Sequence, residues 1–137
     1  MSIAVYVAAS LAFARDADAC AEALRASGLR VTSSWHNEGP HEDPDDDDCR
    51  RAVIRTITSE LGQADILVVL SYLGRPRATY VEAGLAMGLG KPIVWVSAGG
   101  IGRQIFDSWA RSLRLDIGSE QPDAAELHDS VRRALFL

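Results

Sequence analysis

Asp65-Ile66-Leu67-Val68-Val69-Leu70 is the stretch that decides how the chain is read. Its unbroken, β-branched apolar side chains predict a strand covered on both faces, because a strand with one wet face would alternate polar and apolar residues. Upstream, Arg50 to Gln63 has helical period, with Val53, Ile54, Ile57 and Leu61 on one face. Ile3 to Ala9 is a second short apolar run. It is followed by Arg15 to Ser27, where Ala17, Cys20, Ala21 and Leu24 recur at helical spacing and Gly28 supplies the stop. Leu29 to Ser34 reads as another strand and Trp35 to Asp48 as a long polar loop. Downstream, a loop through Gly74 and Pro76 leads to a helix over Tyr80 to Leu89, closed by Gly90. Ile93 to Val96 reads as a buried strand, Leu113 to Ile117 as a weaker one, and Asp123 to Leu135 as the last helix. Strands alternating with helices predict an α/β fold with right-handed crossovers. The expected architecture is a doubly wound, flavodoxin- or Rossmann-like parallel sheet of about five strands in the order 2-1-3-4-5. In such a sheet, ligands sit beyond the carboxyl ends of the strands.

A chain of 137 residues is expected to form one domain over 1–137. The formal charge of -5 is concentrated, since six acids (Glu42, Asp43, Asp45, Asp46, Asp47 and Asp48) fall within seven positions, leaving 13 acids against 14 bases elsewhere. No basic stripe remains to neutralise a phosphate backbone, so polymeric nucleic acid is not an expected partner. The first residues carry no basic leader and no apolar run reaches the length of a membrane span, so a cytoplasmic protein with no membrane partner is expected. Cys20 and Cys49 fall in predicted helices at a spacing that matches no redox or zinc pattern, and read as reduced thiols.

Ligand-contacting residues are expected in the loops after the strands. The loop after the first strand lacks both G-x-G-x-x-G and G-x-x-x-x-G-K-[ST], which disfavours dinucleotide binding and P-loop hydrolysis, and no cofactor or metal is expected. The segment Ser71 to Glu82 is the most informative. Thr79 and Glu82 form a T-x-x-E pattern that reads as a capping box. It reads equally as a carboxylate in the first turn of a helix opening at the ligand edge, where the positive helix end favours the ionised form a nucleophile requires. Gly84 and Gly88 share a face and predict close approach of that helix to the sheet. Arg75 and Arg77 read either as a solvated turn or as an anion site beside the helix start. The acidic run reads as a solvated loop; Asp45 to Asp48 lack the spacing and glycine turn of a calcium loop.

Three blocks then carry a resemblance: Val5-Tyr6-Val7-Ala8-Ala9-Ser10, Ala64-Asp65-Ile66-Leu67-Val68-Val69, and the run Thr79 to Pro92, which reads T-x-x-E-x-G-x-A-x-x-x-G-K-P. Over roughly residues 3 to 97 the chain resembles the nucleoside 2-deoxyribosyltransferase-like superfamily, including its nucleotide and nucleoside 5'-monophosphate N-glycosidases. The resemblance implies cleavage or transfer at the N-glycosidic bond of a nucleotide or nucleoside. Glu82 would attack the anomeric carbon, Tyr6 would hold that carboxylate, and Ala8, Ala9 and Ser10 would touch sugar or phosphate. N-glycoside cleavage passes through an oxocarbenium-like state that an adjacent carboxylate stabilises or traps.

Two family positions differ. Ile57 stands where the family places an aspartate that helps protonate the leaving base, and Pro76 where transferases carry an acid six residues before the nucleophile. The second loss, with Arg75 and Arg77, favours hydrolysis of a phosphorylated ligand over transfer. The first leaves the general acid open. Trp35 and His36 are the substitutes read from the sequence, an aromatic plane to stack on a base and an imidazole to donate to it, and His41 lies in the same loop. Alternatives are a catalytically silent nucleotide-binding or sensor domain, motivated by Ile57 and Pro76, and a NAD-cleaving effector. Self-association into a homodimer or higher homo-oligomer is expected, with Phe106 and Trp109 read as exposed interface residues.

Overall fold

The computed structural model describes residues 2–37, 46–74, 77–102, 105–118 and 121–137. Five strands, β1 (Ala4–Ala8), β2 (Arg30–Val31), β3 (Ile66–Val69), β4 (Ile93–Ala98) and β5 (Ser112–Ile117), form one sheet in the order β2-β1-β3-β4-β5. Every pairing is parallel. Four helices flank it: α1 (Ala14–Ala26), α2 (Asp47–Gln63), α3 (Arg77–Gly88) and α4 (Ala124–Ala134). The α/β class and the strand order agree with the sequence reading.

The alternation of side chains along β1 divides the core in two. Val5 and Val7 join α1 (Ala17, Cys20, Ala21, Leu24) and α4 (Leu127, Val131, Ala134) on one face. Tyr6 and Ala8 point the other way and join Leu61 of α2 and Ala83 and Ala86 of α3. β3 and β4 are likewise buried along their whole length, which is why their sequences are continuously apolar. Burial pushes the Cys20 thiol up to about 12, so this cysteine behaves as a small core hydrophobe.

Two residues of the resemblance blocks have structural employment at the amino edge of the sheet. Asp65 accepts from the Ala4 N–H through Oδ2 at 2.8 Å and donates its own N–H to the Ala4 carbonyl at 2.7 Å, locking β3 to β1. Lys91 donates to the carbonyls of Leu61, Gly62 and Ala64, closing the carboxyl end of α2. Near the opposite edge, Gly102 has φ +88° and an added Cβ there would lie 2.6 Å from the Ser71 carbonyl, so only glycine fits.

Several expectations are corrected. The aspartate run is not all loop: Asp46 caps α2 by accepting from the N–H groups of Asp48 and Cys49, and Asp47 and Asp48 form its first turn and pair with Arg50 and Arg51. Acids at that end complement the helix dipole, so α2 begins three residues before the expected Arg50. The rest of the acidic run, with His41, lies outside the described residues. On α2 only Leu61 is buried; Ile54 is 62% exposed and Val53 and Ile57 are half-buried. The second strand shrinks to two residues because Thr32 already turns toward α2, donating from its hydroxyl to the Glu60 carbonyl at 2.8 Å. Gly84 and Gly88 are exposed with open space beyond them, and it is Ala83 and Ala86 that approach the sheet. Gly99 and Gly100 have φ of +56° and +85° and build the tight turn after β4.

Replacing Lys91 by Met keeps the apolar stem and removes the cap from three carbonyls. The expected cost is about 1–3 kcal/mol, read as a lower urea midpoint at unchanged slope.

Candidate functional site

The carboxyl edge of the sheet brings Tyr6, Thr79 and Glu82 to the face covered by α2 and α3. Tyr6 is wholly buried in the middle of β1, opposite Leu67 of β3. Glu82 is 8% exposed and Thr79, one turn earlier on α3, is equally enclosed. The phenol oxygen of Tyr6, Oγ1 of Thr79 and Oε2 of Glu82 are all buried without a hydrogen-bond partner. Three orphaned polar atoms in one region carry a desolvation cost that ordinary folding avoids.

This arrangement replaces the capping box. α3 begins at Arg77, so Thr79 is its third residue and Glu82 its sixth, and Thr79 Oγ1 caps nothing. Glu82 is therefore in the second turn, beyond the part of the helix where the dipole favours a charge. Burial dominates instead, raising its carboxyl from 4.5 to about 7, an effect that the nearby Tyr6 phenol partly opposes. The Tyr6 phenol is held protonated far above its usual range, first by burial and then by the charges of Glu82 and Glu60. The phenol lies close enough to act on the carboxylate as a donor, lowering the Glu82 value and raising its own, although their geometry falls short of a complete hydrogen bond.

The remaining sequence-predicted residues divide. Ala8 ends β1 inside the α2/α3 layer and Ala9 is buried beside it; Ser10 precedes a short 3-10 turn at the carboxyl edge and makes no side-chain cap. The Trp35 indole N–H donates to the Val7 carbonyl at 2.8 Å, fixing its ring at the rim of a cavity of about 230 Å³. That cavity lies against α2, with Ala52, Val53, Ile57 and Glu60 among its walls. His36 is not in the cleft. Its side chain has no exposure; Nδ1 meets Asp18 Oδ1 at 2.8 Å and Nε2 meets Ser33 Oγ at 2.9 Å. Ser33 Oγ also accepts from the Val7 N–H, so the imidazole is a tie between α1 and β1, with both nitrogens engaged. Arg75 lies outside the described residues, as does the Arg77 side chain. Phe106 is exposed and stacks obliquely on Tyr80, whereas Trp109 is half-buried against the α2/α3 core.

Sequence reasoning missed Glu60. Its carboxylate accepts from the Ser34 N–H at 3.2 Å and the Ser34 hydroxyl at 2.9 Å. The available signal was its position one helical turn after Ile57, on the side of α2 that faces the loop after β2.

The family model for nucleoside 2-deoxyribosyltransferase matches residues 5–103, more than half of the chain, a span that includes Tyr6, Thr79 and Glu82. The chain belongs to the nucleoside 2-deoxyribosyltransferase family. Solved structures are similar across nearly the whole fold. A CMP N-glycosidase, BcmB, from Clostridium botulinum has 12% identity and a TM-score of 0.62, covering 95% of this chain and 98% of that one. A conserved protein from Enterococcus faecalis V583 has 13% identity and a TM-score of 0.62, covering 97% and 99%. A response regulator receiver protein from Sinorhizobium medicae WSM419 has 15% identity and a TM-score of 0.59, covering 98% and 95%. Such different proteins share only the doubly wound fold with this member of the transferase family. No curated protein sequence matches the chain. Among the described residues, no helix is long and apolar enough to cross a membrane.

The raised carboxyl of Glu82 makes stability pH-dependent. The native state holds this proton more tightly than the unfolded chain, so the stability it contributes is complete below about 4.5 and is lost as the pH climbs through about 7. A shift of that size is worth at most about 3 kcal/mol. Glu82→Gln is therefore expected to be more stable than the parent at pH 8, with the difference closing toward pH 4.5, as measured by urea unfolding. A difference that is the same at both pH values rejects a buried ionisation.

Proposed function

We propose that this protein hydrolyses the N-glycosidic bond of a nucleotide, with Glu82 as nucleophile. The observation that carries the reading is a buried carboxylate with an unpartnered oxygen beside a buried, unpartnered phenol, in a chain of the nucleoside 2-deoxyribosyltransferase family. The fold neighbour that is a CMP N-glycosidase is consistent with it. Orphaned polar atoms of this kind are satisfied when a sugar enters: the carboxylate reaches the anomeric carbon and the phenol donates to the carboxylate as its charge is used.

In the first step the ionised Glu82 oxygen bonds to the anomeric carbon, the carbon–nitrogen bond breaks, and its electron pair departs with the base, which takes up a proton. In the second, water attacks the glycosyl ester and restores the free carboxylate, releasing the sugar and a proton. Ser10, with the backbone of Ala8 and Ala9, borders the sugar; Thr79 offers its hydroxyl to the same space; Trp35 stacks the base. Arg75 and Arg77 hold the phosphate in this reading, on the ground of their sequence position beside the start of α3. Proline at position 76, in place of an acid, favours water over a second base as acceptor. His36, with both nitrogens engaged by Asp18 and Ser33, is given no role in this reading. A catalytically silent nucleotide-binding domain is the second reading, favoured by Ile57 at the position of the family's aspartate.

Chromatography of the bases released from a panel of nucleotides and nucleosides tests the first reading. Glu82→Ala is expected to lower turnover by roughly a thousandfold or more, and Tyr6→Phe by about a hundredfold. Parental kcat/KM rises with pH through about 7, since the nucleophile must be ionised. Nucleotide affinity without base release selects the silent reading; an undiminished Glu82→Ala rate overturns the mechanism.

The same reading includes self-association. Tyr80, Val81, Ile105 and Phe106 form an apolar exposed surface on the outer side of α3 and the segment before β5, and Val81 is 74% exposed. Light scattering is expected to give a mass above the 14.8 kDa of one chain, and Val81→Glu to return it to that value.

A further inference from the structure

The hydrolytic reading leaves unassigned the one charged group in the cavity behind Trp35. That cavity, about 230 Å³, is walled on one side by the Trp35 ring and on the other by Ala52, Val53 and Ile57 of α2. Glu60 is its carboxylate. Ser34 and Thr56 add hydroxyls to the lining, and apolar walls with a single carboxylate suit a planar heterocycle, which stacks by its face and is read along one edge.

Two features make Glu60 a reader and not merely a solvated side chain. Its Oε1 takes both bonds from Ser34, so the carboxylate is held in one orientation. No donor among the described residues occupies Oε2, which leaves one acceptor edge open. Trp35 is fixed in turn by its bond to Val7, so the stacking plane and the acceptor are both anchored to the frame of the sheet. Trp35 and Ile57, two walls of the cavity, pack against the core cluster that contains Tyr6, which sets the cavity beside the buried phenol. A carboxylate accepts hydrogen bonds and donates none, so an N–H edge is stabilised there and a carbonyl edge meets it lone pair to lone pair.

We propose that Glu60 selects the base: its free oxygen accepts from the exocyclic amine of a nucleobase stacked on Trp35, so amino bases of the cytosine or adenine type are taken in preference to their keto counterparts. The inference rests on the N-glycosidase reading for its catalytic consequence, but the binding preference stands apart from turnover. Glu60 also anchors the loop after β2, so its test needs a readout that anchoring alone does not move.

That readout is the ratio of kcat/KM within the pairs CMP and UMP, and AMP and IMP. The parent is expected to prefer the amino member by about tenfold or more, the size of one charge-assisted hydrogen bond. In Glu60→Gln the two Ser34 donors keep the amide oxygen and turn its NH2 toward the base, so the ratio falls to one or reverses in favour of the keto member. Equal losses on both members of a pair, or a parent without preference, overturn the proposal. The same pairs are titrated calorimetrically into Glu82→Gln protein, with and without Glu60→Gln. If no nucleotide releases a base, the glycosidase reading fails, and the calorimetric preference still decides Glu60. Absence of nucleotide binding overturns both. Should Glu60→Gln fail to fold, Ala52→Phe, at the exposed rim of the cavity, obstructs it and is expected to weaken nucleotide binding at least about tenfold; unchanged affinity overturns the proposed base site.

Discussion

β1 is covered on both faces, and each of its side chains must be absorbed by one helical layer or the other. Val5 and Val7 fill the α1/α4 layer; Tyr6 and Ala8 fill the α2/α3 layer. That period of two is what sends a phenol into the interior toward α3, where Glu82 also turns inward. Everything distinctive about the site follows from two polar groups being desolvated side by side. Burial raises the carboxyl to about 7, against the smaller opposing effect of the phenol, and holds the phenol protonated.

The family-like run Thr79 to Pro92 divides into parts with different physical purposes. Lys91 closes α2, and the helix end it serves is far from the carboxyl edge of the sheet. Asp65, in the preceding block, ties β3 to β1. Glu82 alone in that run has an unpartnered buried charge. A motif of this kind combines fold-making and chemistry-bearing residues, and only burial and hydrogen bonding separate them.

The departures from the sequence reading share a cause. A T-x-x-E pattern signals a cap only if the helix begins at the threonine, and α3 begins at Arg77. Paired glycines signal close packing only if they face the sheet, and on α3 the alanines do. Helical period in α2 marked four apolar residues, but the helix packs on the core through Ile57 and Leu61, only Leu61 is fully buried, and a cavity opens beside Ala52 and Val53. A histidine after an aromatic residue resembled a general acid, yet Asp18 on α1 and Ser33, three residues earlier, engage both its nitrogens. Local patterns report which residues share a helix face. They do not report which face meets a partner.

By itself the sequence determined the fold class and the strand order, because continuous β-branched runs and glycine stops are local signals that burial on both faces makes strict, while the family resemblance named Tyr6 and Glu82 as candidates. Tertiary structure alone decided the state of that pair and the company it keeps. The desolvation of Glu82, the isolation of His36 from the cleft and the entry of Glu60 beside Trp35 depend on side chains brought together from different elements. Electrostatic and hydrogen-bond energies depend on those distances and on the water excluded between them, neither of which is written in sequence spacing.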